Sequence, residues 1–327
     1  MVPQSRRQVL QAGCAAGVVA LAGCLGGDGG SQDGDANGGE NGDANGGENG
    51  ERSAPQPYPE FVATGAQGAA TAVYADFNEL QSNDDGFDSL FSESSDPLLL
   101  LPAQGVGLLQ RSSAQFQAIG LGSLLAPGSE ETESAVGGVL LATRALVATG
   151  EIVPAEIDEA LLSTDGQFGP FEQNGERGGF ELYGATGGPT VVAVSGTAVI
   201  VGGGRAPVER AIEAAGGERT RARDEIDTFG WVLDAVEAHD VVFAGHGGEA
   251  EDDANALSDA DSFAATHRFG GGQLRAELAA VYESGAALDD ATEELETVFG
   301  EDADSVSTEF GEDRVSIVGS YEASNTT

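Results

Sequence analysis

One stretch of the chain places an imidazole close to several carboxylates. Residues 243–253 read FAGHGGEAEDD and contain His246, Glu249 and Glu251. Imidazole and carboxylate together are ligands that a borderline or hard divalent cation accepts. We therefore take His246, Glu249 and Glu251 as the best candidate metal ligands in the sequence. Since 55 of the 327 residues are acidic, the competing interpretation is a solvated acidic loop, and it is the one we favour.

The other two histidines suggest structural roles. His239 is expected at the end of a predicted helix, where the helix dipole would favour a cationic imidazole. His267 shares one face of a predicted strand with Phe263 and Phe269, which predicts a half-buried side chain. The chain has no Gly-x-Ser-x-Gly motif, and no serine is paired with a histidine in local sequence. The sequence therefore assigns no catalytic residue.

A glycine-rich stretch imitates a nucleotide-binding turn without completing it. Residues 199–209 read VIVGGGRAPVE, so a predicted strand runs through glycines into a predicted helix. The dinucleotide-binding fingerprint needs a third glycine for close packing of helix on strand. Gly202 and Gly204 fit the first two positions, but Pro207 stands at the third. We predict an ordinary strand-to-helix turn, and the sequence implies no cofactor.

The N-terminal residues carry the clearest motifs of the chain. Arg6 and Arg7 form a twin-arginine pair, and residues 12–21 are uncharged, small or apolar. Such a stretch suits the apolar core of a signal peptide, whereas a membrane-spanning helix needs roughly 20 apolar residues. The tetrapeptide LAGC follows and ends at Cys24. Its cysteine is placed as in a lipobox.

These motifs resemble those of haloarchaeal lipoproteins that are exported by the twin-arginine (Tat) pathway. The resemblance covers residues 1–57, while the remaining chain resembles no characterised family. It implies that residues 1–23 are a signal peptide and that Cys24 carries a thioether-linked lipid. It also implies a protein anchored in the cell membrane and facing the extracellular side. Because Cys14 would leave with the signal, the mature chain would have no free thiol and no disulfide.

The charge balance agrees with an environment of high salt. All 14 basic residues are arginine, and the formal net charge is −41. Such a charge excludes nucleic acid as a natural partner and disfavours binding to anionic lipid headgroups. In molar salt the Debye length falls to about 3 Å, so the self-repulsion is screened. We therefore interpret the acidic composition as adaptation to salt.

A hydrophilic linker is predicted between the anchor and the folded region. Residues 24–57 contain almost nothing apolar after Cys24, and the octapeptide GDANGGEN occurs at 34–41 and again at 42–49. Such a composition cannot bury a core. A Gly-rich coil of this length spans roughly 30 Å. At the other end, residues 324–327 are expected to fray, and Asn325 begins an Asn-Thr-Thr glycosylation sequon there.

Residues 58–323 are predicted to form one globular α+β region. Alternating apolar residues predict strand hairpins at 190–201, 263–282 and 306–321, each with a polar or glycine-rich turn. Single helices between hairpins favour antiparallel sheets with helices packed on one face. The pattern allows two similar halves, 58–217 and 218–323. We further expect one long buried strand over 137–149, with a helix as the alternative. A helix is expected over 98–125, broken by Gly105, Gly107, Gly120 and Gly122.

Two classes of function remain open. We favour a lipid-anchored, non-enzymatic protein that binds a small solute or another envelope protein. The alternative is a metal-dependent surface hydrolase with its site near His246. A spacer or assembly component of the cell wall is a third, structural option. The membrane, through the lipid anchor, is the one partner that the sequence itself implies.

Overall fold

The computed structural model describes residues 58–82, 91, 94–125, 132–163, 168–236, 239–247 and 255–322. The strands are β1 (Ala70–Asp76), β2 (Ala135–Ala142), β3 (Ala145–Glu151), β4 (Phe171–Arg177), β5 (Phe180–Ala185), β6 (Val191–Val194), β7 (Ala198–Gly202), β8 (Val241–His246), β9 (Ala260–Gly270), β10 (Gln273–Tyr282), β11 (Ser305–Phe310) and β12 (Arg314–Glu322). The α-helices are α1 (Phe77–Ser82), α2 (Pro97–Ala118), α3 (Pro154–Ser163), α4 (Arg205–Ala215), α5 (Ala222–Glu225), α6 (Asp227–Ala235) and α7 (Gly285–Thr297). Short 3-10 helices cover Tyr58–Phe61, Ala66–Gly68, Gly122–Leu125 and Asn255–Leu257.

All these strands belong to one sheet. Its order is β11-β12-β10-β9-β8-β1-β2-β3-β7-β6-β5-β4, and every neighbouring pair is antiparallel. The α+β class and the antiparallel sheet built from hairpins are therefore confirmed. Within the described residues the sheet has two outer strands, β11 at one end and β4 at the other.

The sheet consists of two halves, β1–β7 and β8–β12, in which the chain follows a similar path. On one side β1, β2 and β3 form a meander, α3 follows, and the next strands return until β7 pairs with β3. On the other side β8, β9 and β10 form a meander, α7 follows, and the hairpin β11–β12 returns to place β12 beside β10. The central pair β1–β8 joins the two sides and is itself antiparallel.

Apolar side chains on both faces of the central strands dictate where the helices pack. On the first face, Tyr74 of β1 and Ile200 of β7 lie in a buried cluster with residues of α4 and α6. On the second face, Val73 and Val201 of the same strands pack with residues of α2 and α3. Helices were expected on one face, whereas the structure has them on both. The reason is that a strand with no polar face must be covered twice.

The expected single strand at 137–149 is wrong, because the chain turns back in the middle of it. Strands β2 and β3 form a hairpin through Thr143 and Arg144, whose φ angles are 38° and 77°. Such turns usually contain glycine or asparagine, and Thr143-Arg144 contains neither, so no local pattern predicts this turn. Here the conformation is supported by tertiary hydrogen bonds. The Thr143 hydroxyl donates to the Ala63 carbonyl at 3.0 Å, and its N–H donates to the Thr71 carbonyl at 3.0 Å.

The longest helix, α2, crosses the second face, and one glycine sets how close it lies to the sheet. A Cβ atom at Gly105 would lie 2.9 Å from Val73 Cγ1 and 3.0 Å from Phe243 Cβ. Such contacts are too short for a methyl group, so only glycine allows this approach. The helix was expected to break at this glycine. It continues to Ala118 instead, because contact with the sheet offsets the intrinsic cost of glycine in a helix.

The start of α2 is held by a fully buried carboxylate. Asp96 is the N-cap residue, and it accepts a hydrogen bond from the N–H of Leu98 at 2.9 Å. It also accepts bonds from the N–H of Gly300 at 2.9 Å and the hydroxyl of Tyr321 at 2.7 Å. Burial raises the pKa of the Asp96 carboxyl, while these donors act in the opposite direction. One side chain thus joins α2, the segment after α7 and β12.

We expect Asp96→Ala to lower the free energy of unfolding by about 3 kcal/mol or more. The substitution removes a helix cap and leaves several buried donors unpaired. Chemical denaturation in molar KCl measures the change. Ser284→Ala is the matched control, because Ser284 caps α7 through one exposed bond to the Ala287 N–H; its cost should be about 1 kcal/mol. Equal losses for the two variants would contradict a joining role for Asp96.

Candidate functional site

The imidazole of His246 belongs to a polar cluster at the C-terminal end of β8, a strand in the middle of the sheet. His246 is the last residue of β8 and lies directly opposite Ser262 of β9. Its Nδ1 is 2.8 Å from the Ser262 hydroxyl, 3.4 Å from the Thr228 hydroxyl and 3.8 Å from Asp261 Oδ2. Thr228 is contributed by the first turn of α6 and also donates to Asp261 Oδ2 at 3.0 Å. The cluster fixes the orientation of the His246 ring.

The geometry of this cluster does not match that of a nucleophilic triad. In a triad, serine and carboxylate engage different nitrogens of the imidazole ring. Here Ser262 and Asp261 both approach Nδ1 of His246. The Ser262 residue is also only 1% exposed, so its hydroxyl is out of reach of a substrate. What this arrangement can do is orient His246 so that Nε2 is the nitrogen left for a ligand.

The metal hypothesis at His246 remains a prediction. Glu249 and Glu251 lie outside the described residues. Among the residues that the structure describes, no group of three or more His, Cys, Asp or Glu side chains is arranged to hold a metal ion. An oriented imidazole is a feature that metal sites use, because the second hydrogen bond sets the tautomer of the ring.

His239 has a different role from the one expected. It follows α6, which ends at Ala235, and its buried side chain bonds across the sheet instead of acting on the helix end. Its Nε2 lies 3.1 Å from Glu277 Oε2, and the other oxygen of Glu277 accepts a bond from Arg275 Nε at 2.5 Å. The pair is almost wholly buried, with side-chain exposures of 0% and 5%. Burial of this pair on the first face of the sheet indicates a structural function.

His267 is fully buried and compensates for a proline inside α2. Pro102 has no N–H, so the Leu98 carbonyl lacks its normal helical donor. The backbone of Leu98 hydrogen-bonds to the His267 ring, whose Nε2 has no hydrogen-bond partner among the described residues. We infer that Nδ1–H donates to this carbonyl. Burial lowers the pKa of His267 to about 3, although the bond to Leu98 acts in the opposite direction.

The remaining residues singled out by the sequence are Arg6, Arg7, Cys24 and Asn325. All four lie outside the described residues, so the export motif, lipidation and glycosylation stay predictions. Within the described ranges, no helix combines the length and the apolar character needed to cross a membrane.

A shallow cleft lies on the second face of the sheet. It has a volume of about 260 Å³ and is bounded by the 3-10 helix Gly122–Leu125 and by α3. Small-molecule sites usually enclose ~300–1,000 Å³. One of its polar groups, Glu156, is already occupied, because it accepts hydrogen bonds from the N–H and the hydroxyl of Ser134 at 3.0 and 2.7 Å. The cleft therefore gives limited support for a solute site.

Sequence reasoning missed a surface at the outer strand β11. Val306 and Phe310 are 50% and 39% exposed, and Leu162 is the one other large apolar side chain with comparable exposure in the described ranges. Val306 and Phe310 lie on the second face, because they are opposite Gly319 and Val315 of β12. Val315 packs on that face in a cluster with residues of α2. The alternation of Val306 and Phe310 was taken from the sequence as evidence of a strand hairpin. It carried no information on which strand would be outermost.

Within the described ranges, the backbone of β11 also has no partner strand along its outer side. The Gly311 N–H donates to the Arg314 carbonyl at 2.7 Å, so these residues form a hydrogen-bonded pair. Bonded and non-bonded pairs alternate along an antiparallel ladder. From the register of β11 with β12, the N–H and C=O groups of Val306, Thr308 and Phe310 therefore point away from β12. This free edge, with its two apolar side chains, is hereafter the β11 edge.

Comparison with known proteins leaves the function open. No family model and no curated protein matches the chain. Crystal form I of TP0453 aligns with a TM-score of 0.40 and 10% identity, over 83% of this chain and 94% of that one. Crystal form IV of TP0453 gives a TM-score of 0.41 and 11% identity, over 81% and 92% of the two chains. Similarity at this level carries no argument about this protein.

Burial of His267 predicts a loss of stability in acid. Its pKa is about 3 in the folded protein and 6.5 without burial. Between these values the unfolded chain binds more protons, so the stabilisation is complete above pH 6.5 and is lost as the pH falls. We expect the free energy of unfolding to fall by about 1.4 kcal/mol per pH unit more than in His267→Phe, which cannot titrate there.

Denaturation curves of both chains between pH 7 and pH 4.5 in molar KCl measure this difference. The many carboxylates titrate in both proteins and cancel in the comparison. Parallel stability profiles for the two chains would show that His267 is accessible to protons in the native state.

Proposed function

We propose that this chain is a lipid-anchored, non-enzymatic protein on the outer face of the cell membrane of a halophile. It binds another protein of the envelope through its β11 edge. The observation that carries the proposal is the β11 edge itself, an outer strand whose outward backbone groups have no partner in the described part of the chain and lie beside exposed Val306 and Phe310. Addition of a strand from a partner supplies affinity through main-chain hydrogen bonds and specificity through side chains.

The contrast between the two outer strands supports this use of β11. Natural sheets protect their edges with charges, proline, bulges or strong twist. Strand β4 reads FEQNGER, is irregular between Gln173 and Gly175, and carries three charged side chains, those of Glu172, Glu176 and Arg177. Strand β11 reads SVSTEF, follows a regular register and carries Glu309 as its single charge. Protection of one edge and not the other favours a function at the unprotected one.

High salt makes such an apolar contact workable on an acidic protein. In molar salt the Debye length is about 3 Å, so repulsion between two strongly negative chains reaches little beyond contact. A partner strand of ordinary composition can then approach the edge, and burial of Val306 and Phe310 provides the attraction. In dilute buffer, repulsion from the net charge of −41 would keep a second acidic chain away from this edge.

The proposed anchor places this edge outside the cell. With a lipid on Cys24, residues 25–57 would form a linker of roughly 30 Å between the membrane and the folded region. That reach suits contact with neighbouring proteins on the same surface. Confinement to a surface also raises the effective concentration of any partner that is anchored there.

We expect Cys24→Ser to move the protein out of the membrane fraction, either into the medium or into an unprocessed precursor. The lipid is attached through the sulfur, which serine lacks. Immunoblots of fractionated cells check this outcome. Cys14→Ser is the control, because Cys14 would leave with the signal peptide, and this variant should fractionate as wild type. Membrane-bound Cys24→Ser protein of mature size would contradict the anchor.

The β11 edge predicts a position-specific contact on intact cells. A photoreactive amino acid in place of Thr308 should form a covalent adduct with another protein chain after irradiation in molar salt. The same amino acid in place of Gln173, which is exposed on the opposite outer strand β4, should not. Adducts from both positions would indicate non-specific crowding, and adducts from neither would overturn the proposed function.

A further inference from the structure

We propose that the partner at the β11 edge is the β11 strand of a second copy of this chain. The two strands would pair antiparallel about a twofold axis at Thr308, with Val306 of each chain opposite Phe310 of the other. This inference rests on the proposed function and deepens it by naming the occupant. It is carried by three independent properties of the edge: its backbone register, its side chains and the side from which the chain enters.

The backbone groups fix which registers are available. Val306, Thr308 and Phe310 direct their N–H and C=O groups outward, so these residues must form the hydrogen-bonded pairs with an added antiparallel strand. When the added strand is a second β11, pairing centred on Thr308 matches all three residues with outward groups. Each such pair exchanges two hydrogen bonds. Shifts by two residues in either direction leave one of these residues without a β11 partner.

The side chains select the same register. Centred on Thr308, the pairing covers the exposed Val306 of each chain with the exposed Phe310 of the other, and cross-strand aromatic and β-branched pairs are favourable. The register shifted one way would place Phe310 opposite Asp304. The register shifted the other way would place Val306 opposite Glu312. Each shift therefore sets an apolar side chain against a carboxylate.

The symmetry is compatible with two anchors in one membrane. An antiparallel pair of identical strands has its twofold axis perpendicular to the sheet, so equivalent faces of both copies lie on the same side. Tyr58, which follows the proposed linker in sequence, packs on the first face of the sheet and stacks on Tyr74 with ring centroids 5.0 Å apart. In the proposed dimer, Tyr58 of both copies therefore lies on the same side.

Charge sets the conditions under which the dimer forms. Glu309 of one chain would lie opposite Ser307 of the other on the first face, and each chain carries a net charge of −41. The association is therefore expected only in molar salt, where this repulsion is screened. A single pair of short strands buries less area than a standard interface, so confinement to the membrane is expected to strengthen it.

Single cysteines test both the dimer and its register. The full-length lipidated protein in membranes is treated with a short thiol-specific cross-linker in molar KCl. Thr308→Cys should cross-link to itself. Val306→Cys and Phe310→Cys should each fail to do so, because identical residues would be about 14 Å apart. Co-expressed, these two variants should cross-link to each other. The parent chain is the control, since its only mature cysteine, Cys24, would be blocked by lipid.

Two further substitutions separate the contact from folding. Thr308→Pro removes an N–H that points outward and leaves the ladder with β12 intact, which an outer strand tolerates. It should lower the dimer fraction, measured by light scattering of the lipidated protein in detergent and molar KCl, at least tenfold. Leu162→Glu is the control for an unrelated surface change, because it alters an exposed residue on α3, outside the β11 edge. It should leave the dimer unchanged.

The outcomes distinguish this inference from the proposed function. Cross-links between Thr308→Cys chains, together with loss of the dimer of Thr308→Pro in light scattering, support the self-pairing. Self-cross-links of Val306→Cys or of Phe310→Cys would overturn the register. A Thr308-specific adduct whose partner is a different protein would overturn self-pairing and leave the proposed function standing. Absence of any Thr308-specific adduct would overturn both.

Discussion

The structure depends on covering a sheet that is apolar on both faces. The central strands place Val73 and Tyr74 on opposite sides, so neither face tolerates water. Helices from distant parts of the chain therefore have to cover both faces. Helix α2 covers the second face where it crosses the β1–β8 pair. Its contact at Gly105 and its cap at Asp96 fix where it lies. The buried polar groups around it follow from that placement, because His267 serves the carbonyl that Pro102 deprives of a donor.

Acidic composition and a dry interior are reconciled by the layered arrangement. The sheet is covered by helices whose outer faces carry charges. Arginine side chains form ion pairs with the acidic residues on these faces. Arg177, for example, donates to Glu213 at 2.6 Å and lies 3.7 Å from both Glu209 and Glu218. Exposed pairs of this kind add little to stability individually. Their role in a chain with so few basic residues is to limit local repulsion between carboxylates.

Local patterns in the sequence predicted most strands and hairpins but not how they are assembled. The hairpin β9–β10 was predictable because Gly271 and Gly272 mark its turn, and both have positive φ. The hairpin β2–β3 was not, because its turn is held by tertiary hydrogen bonds to Thr143. The β11 edge could not be found for a further reason. Val306 and Phe310 alternate as buried residues do, and only the order of strands in the sheet leaves them exposed.

Within the chain itself, two groups of strands are already joined by an antiparallel pair of the kind proposed between two copies. The two groups meet at the antiparallel pair β1–β8, where each contributes the first strand of a meander. Pairing of equivalent strands about a local twofold keeps α3 and α7 on one face, since α3 packs beside Val201 and α7 beside Ile317. The proposed β11 contact repeats the same geometry between molecules. It would continue the sheet with no change of face, and so both the apolar side chains at the edge and the points of chain entry would stay aligned across the axis.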